Sequence, residues 1–486
     1  MKITDLKPEA IFRFFHEITQ VPRPSKKEKK ILEYLRHFAE ERKLEYEQDA
    51  VGNMLIRKAA TPGYENRIPV ILQGHVDMVC EKNSDVKMDF EKDPIKTIVE
   101  DGWLRADGTT LGADDGIGVA AALAILDDDS IEHGPLECFF TVDEETGMTG
   151  AMGLQPGFLK GDILINLDSE DEGEMFIGCA GGMNTMGTLH YNAEKTPQNL
   201  VFFEIIVSGL KGGHSGGDIH MGLGNANKIL ARVLYDVNKK MNFRLASIDG
   251  GNLHNAIPRE AHATIGITAN HKEELAVIVN TLASEVEREL HHTDPGVKIT
   301  VGSAVAPKEV VDEESTKKLL QCLFLLPNGV IGMSHEIEGL VETSTNLAAV
   351  KMKAGEILSI ETSQRSSVES QKQLIGAVIK EQMLLAGAEG TVSDEYPGWA
   401  PNTESVILQS TVAAYEKLFG KKPEVKAIHA GLECGLFLTK YPHLDMVSFG
   451  PTLRDVHSPV ERLEIATVDL FWRHLLEVLK QIPVKK

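Results

Sequence analysis

Four short runs, at 53–57, 68–73, 136–142 and 163–167, are predominantly apolar and read as strands buried on both faces. Helical patterns accompany them at about 8–20, at 25–42 with Ser25 after Pro24 as its cap, and in an alanine-rich stretch from about 115 to 127. Buried strands alternating with helices predict an α/β fold, a mostly parallel sheet flanked by helices. The segment Gly178-Cys179-Ala180-Gly181-Gly182 reads as a hinge or linker. Beyond it, strands near 200–208, 242–248, 260–268 and 297–302 mix with long helices near 223–240 and 272–291. A second set follows, with strands near 356–362 and 390–394 around a helix near 368–386. This is the texture of an inserted, two-lobed α+β domain, although its residues show no clear repeat. From about 400 the first texture returns. The expected division is 1–183 with 399–486, and 184–398 inserted between them.

The charge balance narrows the partners. Fifty Lys and Arg against 72 Asp and Glu give a formal net charge of -22, which speaks against a nucleic-acid backbone as partner. No apolar run is long enough to span a membrane, and the first residues, Met1-Lys2-Ile3-Thr4-Asp5-Leu6-Lys7, lack the apolar core of a signal peptide. Five widely spaced cysteines without a C-x-x-C pair read as reduced thiols. These features together predict a cytoplasmic protein.

Acidic segments follow several of the apolar runs. The run ending at Leu72 continues as Gln73-Gly74-His75-Val76-Asp77, and residues two apart in a strand point the same way. That spacing suits a metal-binding imidazole beside a carboxylate that orients it. The cluster Gly112-Ala113-Asp114-Asp115-Gly116-Ile117-Gly118 opens a loose dinucleotide fingerprint, Gly116-x-Gly118-x-x-Ala121, but two aspartates stand where phosphate would sit, which favours a cation. Asp143-Glu144-Glu145-Thr146-Gly147 ends the third run; adjacent glutamates at a strand end face opposite ways, so one can bind a metal while the other remains a base. Asn166-Leu167-Asp168-Ser169-Glu170 and the late Arg454-Asp455-Val456-His457-Ser458-Pro459 complete the set. Taken singly, each reads better as a solvated turn or other structural feature; the five together in this order do not. Five such segments at or beyond the carboxyl ends of strands are expected on one rim, where open α/β sheets bind ligands.

In these motifs and over essentially its whole length the chain resembles the di-zinc metallopeptidase family that contains glutamate carboxypeptidases, aminoacylases, tripeptidases and carnosinases. The resemblance implies that Asp114 bridges two Zn²⁺ ions, with Mn²⁺ or Co²⁺ as substitutes, one completed by His75 and Asp168 and the other by Glu145 and His457. It implies Asp77 as the orienting partner of His75, Glu144 as general base, and a cis peptide bond between Asp114 and Asp115. In the inserted domain it implies His214, Asn255 and Arg365 as substrate-binding residues, with His429–Gly435 cradling the substrate's C-terminal end. The inserted domain would act as a lid closing over a small peptide. The implied activity is hydrolysis of unblocked dipeptides, Xaa-His types among them; an N-acyl amino acid amidohydrolase or a tripeptidase is the alternative. Whether the chain forms a homodimer stays open at this point.

Overall fold

The computed structural model describes residues 2–353 and 356–485. The chain divides into two compact units, one formed by Met1–Gly178, Pro401–Ala427 and Leu432–Lys486, the other by Cys179–Ala400 and Ile428–Gly431.

The first unit is built on an eight-stranded sheet in the order Glu45–Gln48, Met54–Lys58, Leu136–Thr141, Val70–His75, Ile163–Asn166, Asp445–Ser448, Glu174–Cys179, Glu424–Ile428. Its four central strands, from Leu136–Thr141 to Asp445–Ser448, are parallel. Antiparallel pairings begin on either side of them, at Met54–Lys58 and Glu174–Cys179. The central strands are the near-continuous apolar runs, buried at every position of Val70–His75, Leu136–Thr141 and Ile163–Asn166. The helix Ala113–Asp127 packs on Val70–His75 and is buried on all sides from Gly116 to Leu126, which explains an apolar sequence with no polar face. Phe12 and Phe15 of the helix Glu9–Thr19 are fully buried where that helix packs on Ala113–Asp127.

The helix expected from Ser25 begins instead at Lys29. Lys26 has a left-handed backbone (φ 65°), which delays the helix, and the Ser25 hydroxyl donates to Asp77 instead of accepting from a helix amide.

The second unit contains a nine-stranded antiparallel sheet. Its main order is Lys298–Ala304, Leu200–Ser208, Ala261–Thr268, Arg244–Gly250, Val341–Lys353, Ile357–Ser366, Gly181–His190, Glu389–Tyr396. Each half is a strand–helix–strand–strand–helix–strand unit with the same spatial order, so the topology repeats where the residues do not. In the first half the helices are Ala226–Lys240 and Lys272–Glu289; in the second they are Glu313–Leu325 and Glu369–Leu385. The halves join through Asp249↔Lys351 and Gly250↔Val350. Leu234, Val279, Leu320 and Ile379, one from each helix, lie in a single hydrophobic core.

Gly178–Gly182 does contain the boundary between the two units, at Gly178 and Cys179, but it is formed by the strands Glu174–Cys179 and Gly181–His190 rather than by a loop. The glycines are there for close approach. A Cβ on Gly181 would stand 2.4 Å from the Gly398 nitrogen, and one on Gly182 would stand 2.5 Å from the Tyr396 ring.

Candidate metal centre

Register brings the candidate residues of the first unit to one edge. His75 lies opposite Thr141, Gln73 opposite Asn166, and Asn166 opposite Ser448, so the central parallel strands end together. The chain then turns into Asp77, Glu144–Glu145 and Asp168 at the carboxyl ends. Gly74 precedes His75 because a Cβ there would come within 2.1 Å of a buried Asp115 oxygen. Asp143 adopts φ 54°, and Glu144–Gly147 forms a single helical turn, so the two glutamates leave a turn rather than a strand. His457 arrives differently. The strands Leu453–Arg454 and Arg462–Glu464 pair antiparallel, and the loop between them carries it.

Asp114 is the centre of the cluster. One of its oxygens lies 3.0 Å from His75 Nε2 and the other 3.0 Å from His457 Nε2. His75 Nε2 is also 3.6 Å from Asp168, and His457 Nε2 is 2.9 Å from Glu145. On the far side of the His75 ring, Nδ1 is 3.4 Å from Asp77 Oδ1. Asp77, fully buried, accepts from the amides of Glu144 (3.0 Å) and Glu145 (3.3 Å) and from Ser25 Oγ (2.7 Å), which fixes it in place. The peptide bond Asp114–Asp115 is cis.

The electrostatics show a surplus of negative charge. Among the described residues, the ion pairs of Asp114, Asp168 and Glu145 are with the two imidazoles alone. Although burial opposes it, His75 and His457 hold Asp114 well below the ordinary carboxylate range. Hydrogen bonds to Asp114 and Glu145 raise His457 to about 10. Burial, opposed by His75 and reinforced by the Asp115 and Asp114 charges, pushes Asp168 well up. Burial likewise raises Glu144 to about 8; His75 opposes the shift, while the Glu433, Glu145 and Asp114 carboxylates add to it. Glu145 Oε1 is buried without a hydrogen-bond partner, and His75 Nδ1 faces only the Asp77 carboxylate, at 3.4 Å. So many carboxylates against two imidazoles form a site that divalent cations would balance.

Sequence reasoning missed the support beneath this edge. Glu433, fully enclosed in the segment quoted only as a cradle, accepts from Gln73 Nε2 and Thr141 Oγ1, both at 2.8 Å. Gln73 in turn accepts from Asn166 Nδ2 at 2.6 Å. Arg23 and Glu461 carry equally little sequence signal, that of Glu461 being its position four residues after His457.

His214, Asn255 and Arg365 belong to the second unit, and the structure brings them to one neighbourhood of it. His214 pairs with Ala256 in register, and the Ser215 amide donates to the Asn255 carbonyl at 2.8 Å. His214 Nδ1 accepts from the amides of Gly216 (3.2 Å) and Gly217 (2.9 Å), which leaves a neutral ring with its proton on Nε2. Arg365 Nη1 donates to Tyr396 Oη at 2.9 Å, and its Nε is buried and unpartnered. A Cβ on Gly216 would stand 3.1 Å from both Arg365 Nε and His214 Cε1, so glycine keeps the two residues close. His429 joins them. Its Nε2 meets Ser344 Oγ at 2.7 Å, and burial followed by Arg365 lowers its pKa to about 3, so it stays neutral.

Residues 71–481 match the profile of peptidase family M20/M25/M40. The chain belongs to that family. It is therefore a peptidase, a hydrolase of peptide bonds from a metal-dependent family. Over 484 residues, covering both chains completely, it is 44% identical to the cytosol non-specific dipeptidase of Escherichia coli. The crystal structure of aminoacylhistidine dipeptidase from Vibrio alginolyticus superposes with a TM-score of 0.96 at 41% identity, covering 100% of this chain and 99% of that one. A tripeptidase from Staphylococcus aureus shares the fold at 17% identity, with a TM-score of 0.55 over 98% of this chain and 99% of the other. Among the described residues no helix is long and apolar enough to cross a membrane.

Proposed function

We propose that the chain is a cytoplasmic dipeptidase that hydrolyses unblocked dipeptides, Xaa-His types included, with two zinc ions held on either side of Asp114. One observation carries this reading: the two oxygens of a single carboxylate each face a different imidazole at 3.0 Å. His75 and Asp168 would hold one ion, Glu145 and His457 the other, and Asp114 both. Two nitrogens among carboxylate oxygens form a borderline set that suits zinc and accepts manganese or cobalt. The full-length likeness to a non-specific dipeptidase and to an aminoacylhistidine dipeptidase supports the substrate class.

When bound, the ions supply Lewis acidity to a water and to the scissile carbonyl. The chain supplies the rest. Glu144, with its raised affinity for a proton, takes one from the attacking water and returns it to the departing amine as the C–N bond breaks. Asp77 fixes the His75 ring and, through its bonds to two amides, the turn that carries Glu144. Asp77 is thus a positioning residue. In the second unit, which we read as a lid, the free edge of Arg365 offers a planar fork for the substrate's carboxylate, and His214 and Asn255 offer neutral hydrogen-bonding groups beside it.

The test is hydrolysis of a panel of free dipeptides, including β-Ala-His and Gly-His, beside tripeptides and N-acetyl amino acids, with and without chelator. Chelator-sensitive cleavage confined to dipeptides is expected. Preference for acetylated substrates or tripeptides would overturn the assignment of substrate.

A further inference from the structure

Two buried charges outside the ligand set grip the segment that carries Asp114. Arg23 and Glu461 are each 2% exposed. Arg23 Nη1 donates to the carbonyls of Val76 (3.0 Å) and Asp77 (2.6 Å), and Nη2 donates to the carbonyl of Gly112. One guanidinium therefore fastens the turn after His75 to the turn before Asp114. A planar fork is needed to reach both turns, and an ammonium would not span them.

Glu461 holds the same segment through its amides. Its carboxylate accepts from Leu111 (2.6 Å), Gly112 (3.0 Å), Ala113 (2.7 Å) and, more weakly, Asp114 (3.4 Å). These amides precede the continuous helix, because Asp114 (φ -81°, ψ 114°) and Asp115 (φ -98°, ψ 32°) are not helical, and buried amides of this kind need an acceptor. Glu461 also closes the loop that carries His457, four residues before it. The packing leaves no slack: a Cβ on Gly112 or Gly116 would stand 2.5 or 2.6 Å from Arg23 Nη2. Burying a guanidinium and a carboxylate is costly, and here both are spent on the backbone of one short segment.

We propose that Arg23 and Glu461 are positioning residues that fix Asp114 between His75 and His457 and so set the affinity of the centre for its second cation. This rests on the metal-centre reading above. Asp114 would serve two ions only while its two oxygens stay facing the two imidazoles, each at 3.0 Å. The guanidinium ties its segment to the His75 turn, and the carboxylate ties it to the His457 loop.

The test is zinc titration of the full chain, wild type beside Glu461→Gln, by competition with a chromogenic chelator. Melting temperatures of the metal-free and zinc-loaded proteins are measured alongside. Glutamine keeps the size of Glu461 but turns an NH₂ group toward amides that need an acceptor. The second zinc is expected to bind about 10–100-fold more weakly, and the zinc-dependent rise in Tm to shrink. An affinity within about twofold of wild type, or a lower metal-free Tm with an unchanged zinc-dependent rise, would overturn the proposal. If Glu461→Gln does not fold, Arg23→Lys, which keeps the charge and loses the fork, is judged by the same criteria. A wild type that binds fewer than two ions would overturn the metal-centre reading and this proposal with it. Two ions in wild type and an unaffected variant would overturn this proposal alone.

Discussion

Replacing Asp77 with asparagine tests whether the centre depends on a carboxylate that does not itself sit among the ligands. Asp77 spends one oxygen on the Glu144 amide, with His75 Nδ1 also 3.4 Å away, and the other on the Glu145 amide and Ser25 Oγ. Asparagine offers only one acceptor oxygen. Its best orientation keeps that oxygen toward Glu144 and His75, while the Ser25 hydroxyl inverts to accept from the new NH₂. The Glu145 amide is then left facing a donor. The loss is about one charge-assisted hydrogen bond in a buried setting, ~1.5–3 kcal/mol. It falls on the turn that carries both glutamates, so metal affinity should drop by about 10–100-fold, in line with other supports of metal ligands. Competition with a chelator measures this directly, and kcat/KM at saturating zinc shows how much turnover recovers when the ions are restored. Zinc affinity equal to wild type in a folded Asp77→Asn protein would refute the reasoning.

Glu144→Gln should retain both ions and lose about 10²–10⁴-fold in kcat, because the base is gone and the ligands remain; kcat near wild type would remove Glu144 from the role. Arg365→Ala should raise KM for dipeptides with a free carboxylate by about 10–100-fold and spare amidated ones. Equal losses on both would refute the clamp. The pH dependence has a defined sign. His457 is raised from 6.5 to about 10 in the metal-free protein, so near pH 7 it carries a proton that must leave when a cation binds. Zinc affinity should therefore climb from pH 6 toward 10, with proton release measurable by calorimetry in two buffers of different ionisation heat. The stability that the protonated ring gives the metal-free fold is fully present below 6.5 and is lost as pH rises through about 10.

The catalytic framework was legible because fully buried strands cannot avoid being apolar throughout: Val70–Leu72, Phe139–Phe140 and Ile163–Ile165 announce themselves. The histidine and carboxylates at their ends were legible for the same reason, since polar residues beside such runs stand out. Other parts carried little signal. Val341–Lys353 was passed over because its buried positions include Thr343, Ser344, Thr345 and Asn346, whose polar groups are satisfied within the sheet or by neighbours. The helix Glu313–Leu325 has a local start signal, Asp312 capping the Ser315 amide, and is absent from the expected elements. Gly181 and Gly182 look like flexibility and are in fact room for neighbouring backbone and the Tyr396 ring. Arg23 and Glu433 have no local signature, and Glu461 has only its place four residues after His457. Each acts on residues dozens to hundreds of positions away, so only the folded chain shows what a lone buried charge is for.

The central claim is that Asp114 holds two cations, with His75 on one side and His457 on the other. It is tested most directly by counting zinc ions per chain in wild type and in His457→Ala after equilibration and gel filtration. Two ions in wild type and one in the variant are predicted. One ion in wild type, or two in both proteins, would contradict it.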